Sequence, residues 1–431
     1  MNRLLYLSKK TPPMTVSKMA GSLIGSEIIK IGNEVNEMIK KGAAICNLTI
    51  GDFDPAIFPI PDELRDAITQ AYAAGQTNYP PANGVAELRT AAANFLHQRL
   101  GLTYSPADVL VAGGSRPLIY ATYLALLDLG DKVVFPVPSW NNNHYCHLAS
   151  AEAVMVETSP AHSFMPTAAE IAPHLPGATL LALCSPLNPT GTVFARADLE
   201  AICDLVIAEN QRRAPSEKPL YILYDQIYWM LTFGTAQHYD PVNLRPELRD
   251  YVIYIDGISK CLAATGVRVG YAFGPTEVID KMKSILGHVG AWAPKAEQIA
   301  TAQYLPNSTA VDSYTNEFKQ KIQRSLDTLY AGLQELKEAG FPVDAIAPAG
   351  AIYLTARLDV LGKTTAAGQL LATTRDLTSY LIAEAGLALV PFSAFGNSDT
   401  SPWFRLSVGG ASLESIEAAL PRLRAALTGL Q

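Results

Sequence analysis

From about residue 105 onward the chain alternates short apolar runs with helical segments, and this rhythm constrains the fold most. The runs are Val109–Ala112, Lys132–Phe135, Val154–Val156, Leu180–Cys184, Leu220–Tyr224, Val252–Ile255 and Val269–Phe273. Each is too short for a core helix and is rich in Val, Ile, Leu and Tyr, so the runs read as strands buried on both faces. Arg116–Leu129, Asp198–Glu209 and Val278–Ile285 carry helical spacing among them. Strand and helix in alternation specify an α/β domain with a mostly parallel sheet flanked by helices.

The flanks read differently. Residues 25–42 suit a helix that stops at Gly42, followed by a strand over Ala44–Ile50, and Pro61-Asp62-Glu63 opens another helix. Residues 311–339 place Tyr314, Phe318, Ile322, Leu326, Leu329, Leu333 and Leu336 at three- and four-residue steps, a single long helix that stops at Gly340-Phe341-Pro342. Beyond it lie candidate strands Ala351–Ala356, Leu387–Val390 and Phe404–Val408, with helices near 376–385 and 412–427. That is the texture of a second, smaller α+β domain. A chain of 431 residues has room for two or three domains at ~150 residues each.

With 49% hydrophobic and 17% charged residues the chain can bury a large core. Its net charge of −7, without a basic block, argues against nucleic acid or an anionic membrane as partner. Five scattered cysteines without a CxxC pair fit a reducing cytosol better than secretion or a zinc site. The first residues, MNRLLYLSKKTPPM, lack the apolar core and cleavage site of a signal peptide. No apolar run approaches the ~20 residues of a membrane span. The expectation is a soluble, cytoplasmic, multi-domain protein.

The chemistry centres on Asp256-Gly257-Ile258-Ser259-Lys260, followed by Gly266-Val267-Arg268-Val269-Gly270. Ser259 and Arg268 offer a hydroxyl and a guanidinium fork, which is what a phosphate needs. A lysine buried near such cations has a lowered pKa and can act as a nucleophilic amine. The spacing S-K-x7-R-x-G resembles the Schiff-base signature of the pyridoxal-phosphate enzymes of fold type I. Other motifs of that superfamily occur in the same order.

Gly113-Gly114-Ser115-Arg116 ends a strand and opens a helix, an anion site made of backbone amides, a hydroxyl and the helix dipole. The resemblance implies that Gly114 and Ser115 hold the cofactor phosphate. Arg116 either joins them on the cofactor side or reads a distal carboxylate of the substrate. Trp140, in Pro138-Ser139-Trp140, corresponds to the aromatic that covers the pyridine ring. Asn188, in Ser185-Pro186-Leu187-Asn188-Pro189-Thr190-Gly191, inherits the hydrogen bond to the ring hydroxyl. Asp225 and Tyr228, in Tyr224-Asp225-Gln226-Ile227-Tyr228, match the family's D-E-x-Y. There the Asp pairs with the ring nitrogen and the Tyr bonds the ring hydroxyl. Gln226 replaces the usual Glu, a change expected not to touch the chemistry. Arg405, in Trp403-Phe404-Arg405-Leu406-Ser407, resembles the residue that grips the substrate α-carboxylate. Gly51 resembles the glycine beside that carboxylate. Tyr79, ahead of Gly84 and Leu88-Arg89, resembles the tyrosine that crosses a dimer interface to the neighbour's cofactor phosphate.

The resemblance is to class I/II aminotransferases of the aspartate aminotransferase type. It implies a large domain over 59–325 with a seven-stranded sheet, a small domain from 1–58 and 326–431, a homodimer, and pyridoxal 5'-phosphate on Lys260. It also implies ping-pong amino transfer from an amino acid, acidic or aromatic, to a 2-oxo acid. A pyridoxal-phosphate lyase working by β-elimination would share these residues. A non-catalytic regulatory module would need a DNA-binding segment, for which the ~25 residues before the first helix have no room. A nicotinamide oxidoreductase would need G-x-G-x-x-G after the first strand, which Gly266–Gly270 does not supply. Asn141, Asn142, Asn143 and His144 form a polar run near the expected pocket and read as a solvated loop.

Overall fold

In a computed structural model of the chain, which describes residues 16–23, 25 and 27–431, the seven apolar runs become the strands of one sheet. The segment MNRLLYLSKKTPPM, in which no signal peptide is read, lies outside the described residues. The strands are Val109–Ala112 (β1), Lys132–Val137 (β2), Glu152–Glu157 (β3), Ala178–Cys184 (β4), Tyr221–Asp225 (β5), Val252–Gly257 (β6) and Gly270–Phe273 (β7). Their spatial order is β1-β7-β6-β5-β4-β2-β3. β7 is antiparallel to both neighbours and every other pairing is parallel.

The period of two along each strand sorts the side chains between two layers. Leu110, Val133, Phe135, Leu180, Leu223 and Ile253 pack with helices Ser115–Leu126 and Thr276–Val289. Val109, Val134, Leu181, Ile222, Val252 and Tyr254 pack with helices Ala86–Leu100, Arg196–Arg212 and Lys295–Tyr304. β3 departs from the expectation of burial on both faces: of its residues only Val156 is buried, while Glu152, Ala153, Met155 and Glu157 are exposed. It is the edge of the sheet, where charged ends keep unpaired backbone groups from recruiting another strand.

A second, four-stranded antiparallel sheet follows, in the order Val390–Pro391, Trp403–Ser407, Tyr353–Leu358, Val343–Ile346. Leu354, Phe404 and Leu406 on it pack against Ile322, Leu326 and Leu329 of helix Ser308–Glu338 and against helices Thr374–Ala385 and Leu413–Thr428. The long helix reaches both cores, giving Val311 to the large-sheet layer and Phe318 onward to this one.

Several sequence expectations change here. The run Leu387–Val390 splits between two sheets: Leu387–Ala388 pairs in parallel with Cys46–Asn47, and Val390–Pro391 joins the four-stranded sheet. The strand expected over Ala44–Ile50 shrinks to Cys46–Asn47. Its later carbonyls are taken by side chains instead, Thr49 O by Arg405, Ile50 O by Ser407 and Gly51 O by Lys260. The strand at Ala351–Ala356 begins only at Tyr353, and the N-terminal helix spans Glu27–Lys40. The polar run after Trp140 is not a loop but the start of helix Asn142–Ala149. Asn141 adopts the left-handed conformation that Asn tolerates (φ 61°). Asn142 anchors the turn, donating to Ser139 Oγ at 2.6 Å and accepting from the Tyr123 hydroxyl at 3.0 Å. Strand Val343–Ile346 and helices Ala86–Leu100 and Lys295–Tyr304 add to the elements expected from the sequence. Among the described residues no helix is long and apolar enough to cross a membrane, and no group of His, Cys, Asp and Glu gathers to hold a metal.

Candidate active site

Ligands of open α/β sheets bind at the carboxyl ends of the parallel strands. Those ends here deliver Ser115 after β1, Trp140 after β2, Asn188 after β4, Asp225 at the end of β5 and Lys260 after β6. They line a cavity of about 570 Å³, closed on the other side by Arg405 and Tyr353 and by Ile28, Gly32 and Asn36 of helix Glu27–Lys40. Of the residues singled out in the sequence, Gly51, Ser115, Arg116, Trp140, Asn188, Asp225, Tyr228, Ser259, Lys260, Arg268 and Arg405 all line it.

Lys260 sits on the one-turn helix Ile258–Cys261, and its Nζ donates to Gly51 O at 2.6 Å. Burial pulls its pKa from 10.5 down to about 8; Asp52 works against this, while Arg405, Arg116 and Arg268 add to it. A substantial neutral fraction near physiological pH is what a nucleophilic or proton-transferring amine requires. Asp225 shows the opposite response: burial pushes its carboxyl up to about 6, against the Ile227 N–H at 3.0 Å and the Lys260 charge. No cation pairs with that carboxyl among the described residues, so a cationic group entering the cavity would find a ready acceptor.

Arg405 is 1% exposed, on strand Trp403–Ser407 between Val390 and Thr355. Its bonds go to neutral acceptors, Asn188 Oδ1 at 3.2 Å and Thr49 O at 2.5 Å, and its Nε has no partner. Burial lowers its pKa, yet a guanidinium stays charged, so this is a buried cation awaiting an anion. Two aromatic rings hold it in place, Tyr353 at 4.8 Å and Phe395 at 4.9 Å. Gly51 has a steric reason beside it, since a Cβ there would sit 2.7 Å from the Tyr353 hydroxyl.

The opposite end of the cavity is an anion cradle. Gly114 has φ 96°, and a Cβ on it would fall on the Arg268 guanidinium, so only glycine lets that fork approach. Arg268 donates to Gly113 O at 2.7 Å and Thr265 O at 2.6 Å. The hydroxyl-bearing Ser115 and Ser259 lie beside it on the cavity lining. Arg116, an exposed residue, places its guanidinium 5.2 Å from the Trp140 ring centre.

Two residues singled out in the sequence are not on the lining, Gly114, whose backbone lies against the Arg268 guanidinium, and Tyr79. Tyr79 is 81% exposed and lies outside the cavity, its ring 5.1 Å from that of Trp292. Conversely, the sequence offered no signal for Tyr353, whose hydroxyl meets that of Tyr228 at 2.6 Å. Only alternation within its strand could have pointed it inward.

The donor set fits pyridoxal phosphate: hydroxyls and Arg268 at one end, an unpaired carboxyl in the middle, Asn188 and Tyr228 as partners for a ring hydroxyl, and an aromatic beside them. Comparison with known proteins agrees. The model of the family "Aminotransferase class I and II" matches residues 43–423. An aspartate aminotransferase of Rhizobium meliloti (strain 1021) is 30% identical over 404 residues, 93% of each chain. A probable aspartate/prephenate aminotransferase of Rhizobium leguminosarum is 30% identical over 402 residues, 93% of this chain and 95% of its own. The crystal structure of an aspartate aminotransferase from Rhizobium meliloti superposes with a TM-score of 0.87 at 28% identity, covering 97% of this chain and 100% of that one.

Proposed function

The chain belongs to the class I and II aminotransferases, a pyridoxal-phosphate-dependent family, and from that premise we propose how its residues divide the work. The protein moves the amino group of an L-amino acid, acidic (aspartate-type) or aromatic, to a 2-oxo acid. One observation carries the reading: an amine held down at about 8 shares a cavity with a buried arginine that has no carboxylate partner among the described residues.

When bound, pyridoxal phosphate supplies an electron sink for charge developing at the substrate α-carbon. Ser115, Ser259, Arg268 and the amide-rich turn at Gly114 hold its phosphate, with Arg116 on the same side. Asn188 and Tyr228 would bond the ring hydroxyl, Trp140 would cover the ring, and Asp225 would accept from the protonated ring nitrogen. Lys260 is the attachment point. Its freed Nζ would take the substrate α-proton as general base and, as general acid, deliver it to the cofactor carbon that receives the amino group. Arg405 fixes the α-carboxylate with both arms of its fork, in the space that Gly51 leaves open. The first 2-oxo acid leaves before the second enters.

We assign residues 59–325 to the large domain and 1–58 with 326–431 to the small one, of which 1–15, 24 and 26 lie outside the described residues. The core around the four-stranded sheet supports the division, although Ile227, Tyr228, Leu231, Phe233, Phe318 and Ile322 also pack into it. The free thiols Cys46, Cys146, Cys184, Cys203 and Cys261 support a cytoplasmic location. With 2-oxoglutarate as acceptor, a panel of aspartate, glutamate, phenylalanine and tyrosine should include at least one efficient donor. A yellow, cofactor-loaded protein that transaminates none of them would overturn the reading.

The working unit is a homodimer with active sites at the interface. Tyr79 and Tyr72 project into solvent beside Trp292 on one chain, an aromatic patch that a second copy would cover, bringing Tyr79 to the partner's phosphate cradle. Mixed subunits of inactive Lys260→Ala and impaired Tyr79→Phe should regain some wild-type-like sites. If dimers form and exchange but nothing is rescued, Tyr79 does not act across the interface.

A further inference from the structure

Asp256 is the last side chain of β6 before the Gly257 turn that carries Ser259 and Lys260. It shares a sheet face with Val252 and Tyr254, opposite the face of Leu223 and Asp225, and does not line the cavity. The residue is 1% exposed and has no cationic partner among the described residues. Three neutral donors hold its carboxyl. Oδ1 accepts from Gly257 N at 2.7 Å, and Oδ2 accepts from Trp229 Nε1 at 2.9 Å and Gln226 Nε2 at 3.3 Å. Gly257 belongs to the Lys260 turn, whereas Gln226 and Trp229 bracket Tyr228 in the segment that begins at Asp225. One buried carboxyl therefore joins the two segments that carry the reacting amine and the acid facing the cofactor ring.

We propose that Asp256 is a positioning residue that locks the Lys260 turn to the Asp225–Tyr228 segment, and that Gln226 is its required amide partner. The proposal rests on the roles of Lys260 and Asp225 given above. Gln226 is fully buried and its Oε1 has no partner. Its contribution is thus the N–H toward Asp256. A glutamate in its place would set a carboxylate oxygen against Asp256 and leave the other oxygen without a donor, so one of the two acids would have to take up a proton or move. Burial already pushes Asp256 up to about 7, so the pocket has little tolerance for a second charge. Gln226 does not line the cavity, but contrary to the expectation that its identity leaves the chemistry untouched, it is tied to the reacting segments through Asp256.

The test is a double-mutant cycle read by the Kd of the stripped protein for pyridoxal phosphate, and by kcat and KM of the loaded enzyme. Gln226→Glu should weaken cofactor binding and lower kcat about tenfold each, equivalent to ~1.4 kcal/mol. KM for the amino donor should hold, because the Arg405 end is untouched. Adding Asp256→Asn restores one carboxylate facing one amide and should bring both quantities back to within about threefold of wild type. Trp229→Phe, which keeps the ring and removes the third donor, should raise the Kd by about threefold whether or not Gln226→Glu folds. A double variant no better than Gln226→Glu, or an unchanged Kd in Trp229→Phe, would overturn the proposal. Should the wild-type protein fail to take pyridoxal phosphate at Lys260, the functional reading itself falls. If the wild type takes it and the cycle shows no coupling, the positioning role alone falls.

Discussion

Lys260→Ala should abolish transamination and remove the reducible bond between the protein and pyridoxal phosphate. Two contributions vanish together, the covalent attachment and the proton transfer at Nζ, and positioned acid–base groups account for up to about 10⁴-fold in rate. The alanine variant keeps the Gly114–Ser115 turn, Arg268, Asn188 and Asp225, so it should still bind the cofactor without a covalent link. It also loses the hydrogen bond to Gly51 O, one of the ties between the two halves of the cavity. Borohydride trapping followed by peptide mapping reads the result directly: the wild type should carry the label on Lys260 and the variant should carry none. A label on any other lysine would remove Lys260 from its role and with it the reading of the whole cavity.

The second large effect belongs to Arg405. Breaking a buried ion pair by removing one partner costs ~3–5 kcal/mol, because the other charge is left without compensation. Arg405→Lys keeps the charge but loses the fork, and a single ammonium cannot serve Asn188 Oδ1, Thr49 O and a substrate carboxylate together. We expect kcat/KM to fall about a hundredfold, ~3 kcal/mol, for aspartate, phenylalanine and leucine alike, since all three share the α-carboxylate. Undiminished kcat/KM on all three would take Arg405 out of the site. Arg116→Ala provides the contrast. Its guanidinium rests on Trp140 rather than beside Arg405, so a smaller and uniform drop is expected, as for a group on the cofactor side. A loss confined to aspartate would instead make Arg116 the reader of a distal carboxylate.

Much of this molecule is legible along the chain. The seven apolar runs and the long helix, expected over 311–339 and found at Ser308–Glu338, announce themselves through spacing, because strand alternation and helical periodicity act over a few residues. The phosphate and ring motifs, by contrast, are legible only through the resemblance. The resemblance adds eleven of the residues that line the cavity, because most of its motifs are short strings beside strand ends; it does not reach Ile28, Gly32, Asn36 or Tyr353. What the chain could not disclose are the meetings between distant segments. Gly51 O and Lys260 Nζ are 209 residues apart in sequence and 2.6 Å apart in space. Tyr353 reaches Tyr228 across 125 positions, and Arg405 reaches Thr49 across 356. The split of Leu387–Val390 between two sheets, the exposure of edge strand β3 and the Asp256–Gln226 contact belong to the same class. None of them has a local signature, because pairing partners, edges and close approaches are set when whole layers pack, and a local pattern of apolar and polar residues is compatible with many such packings.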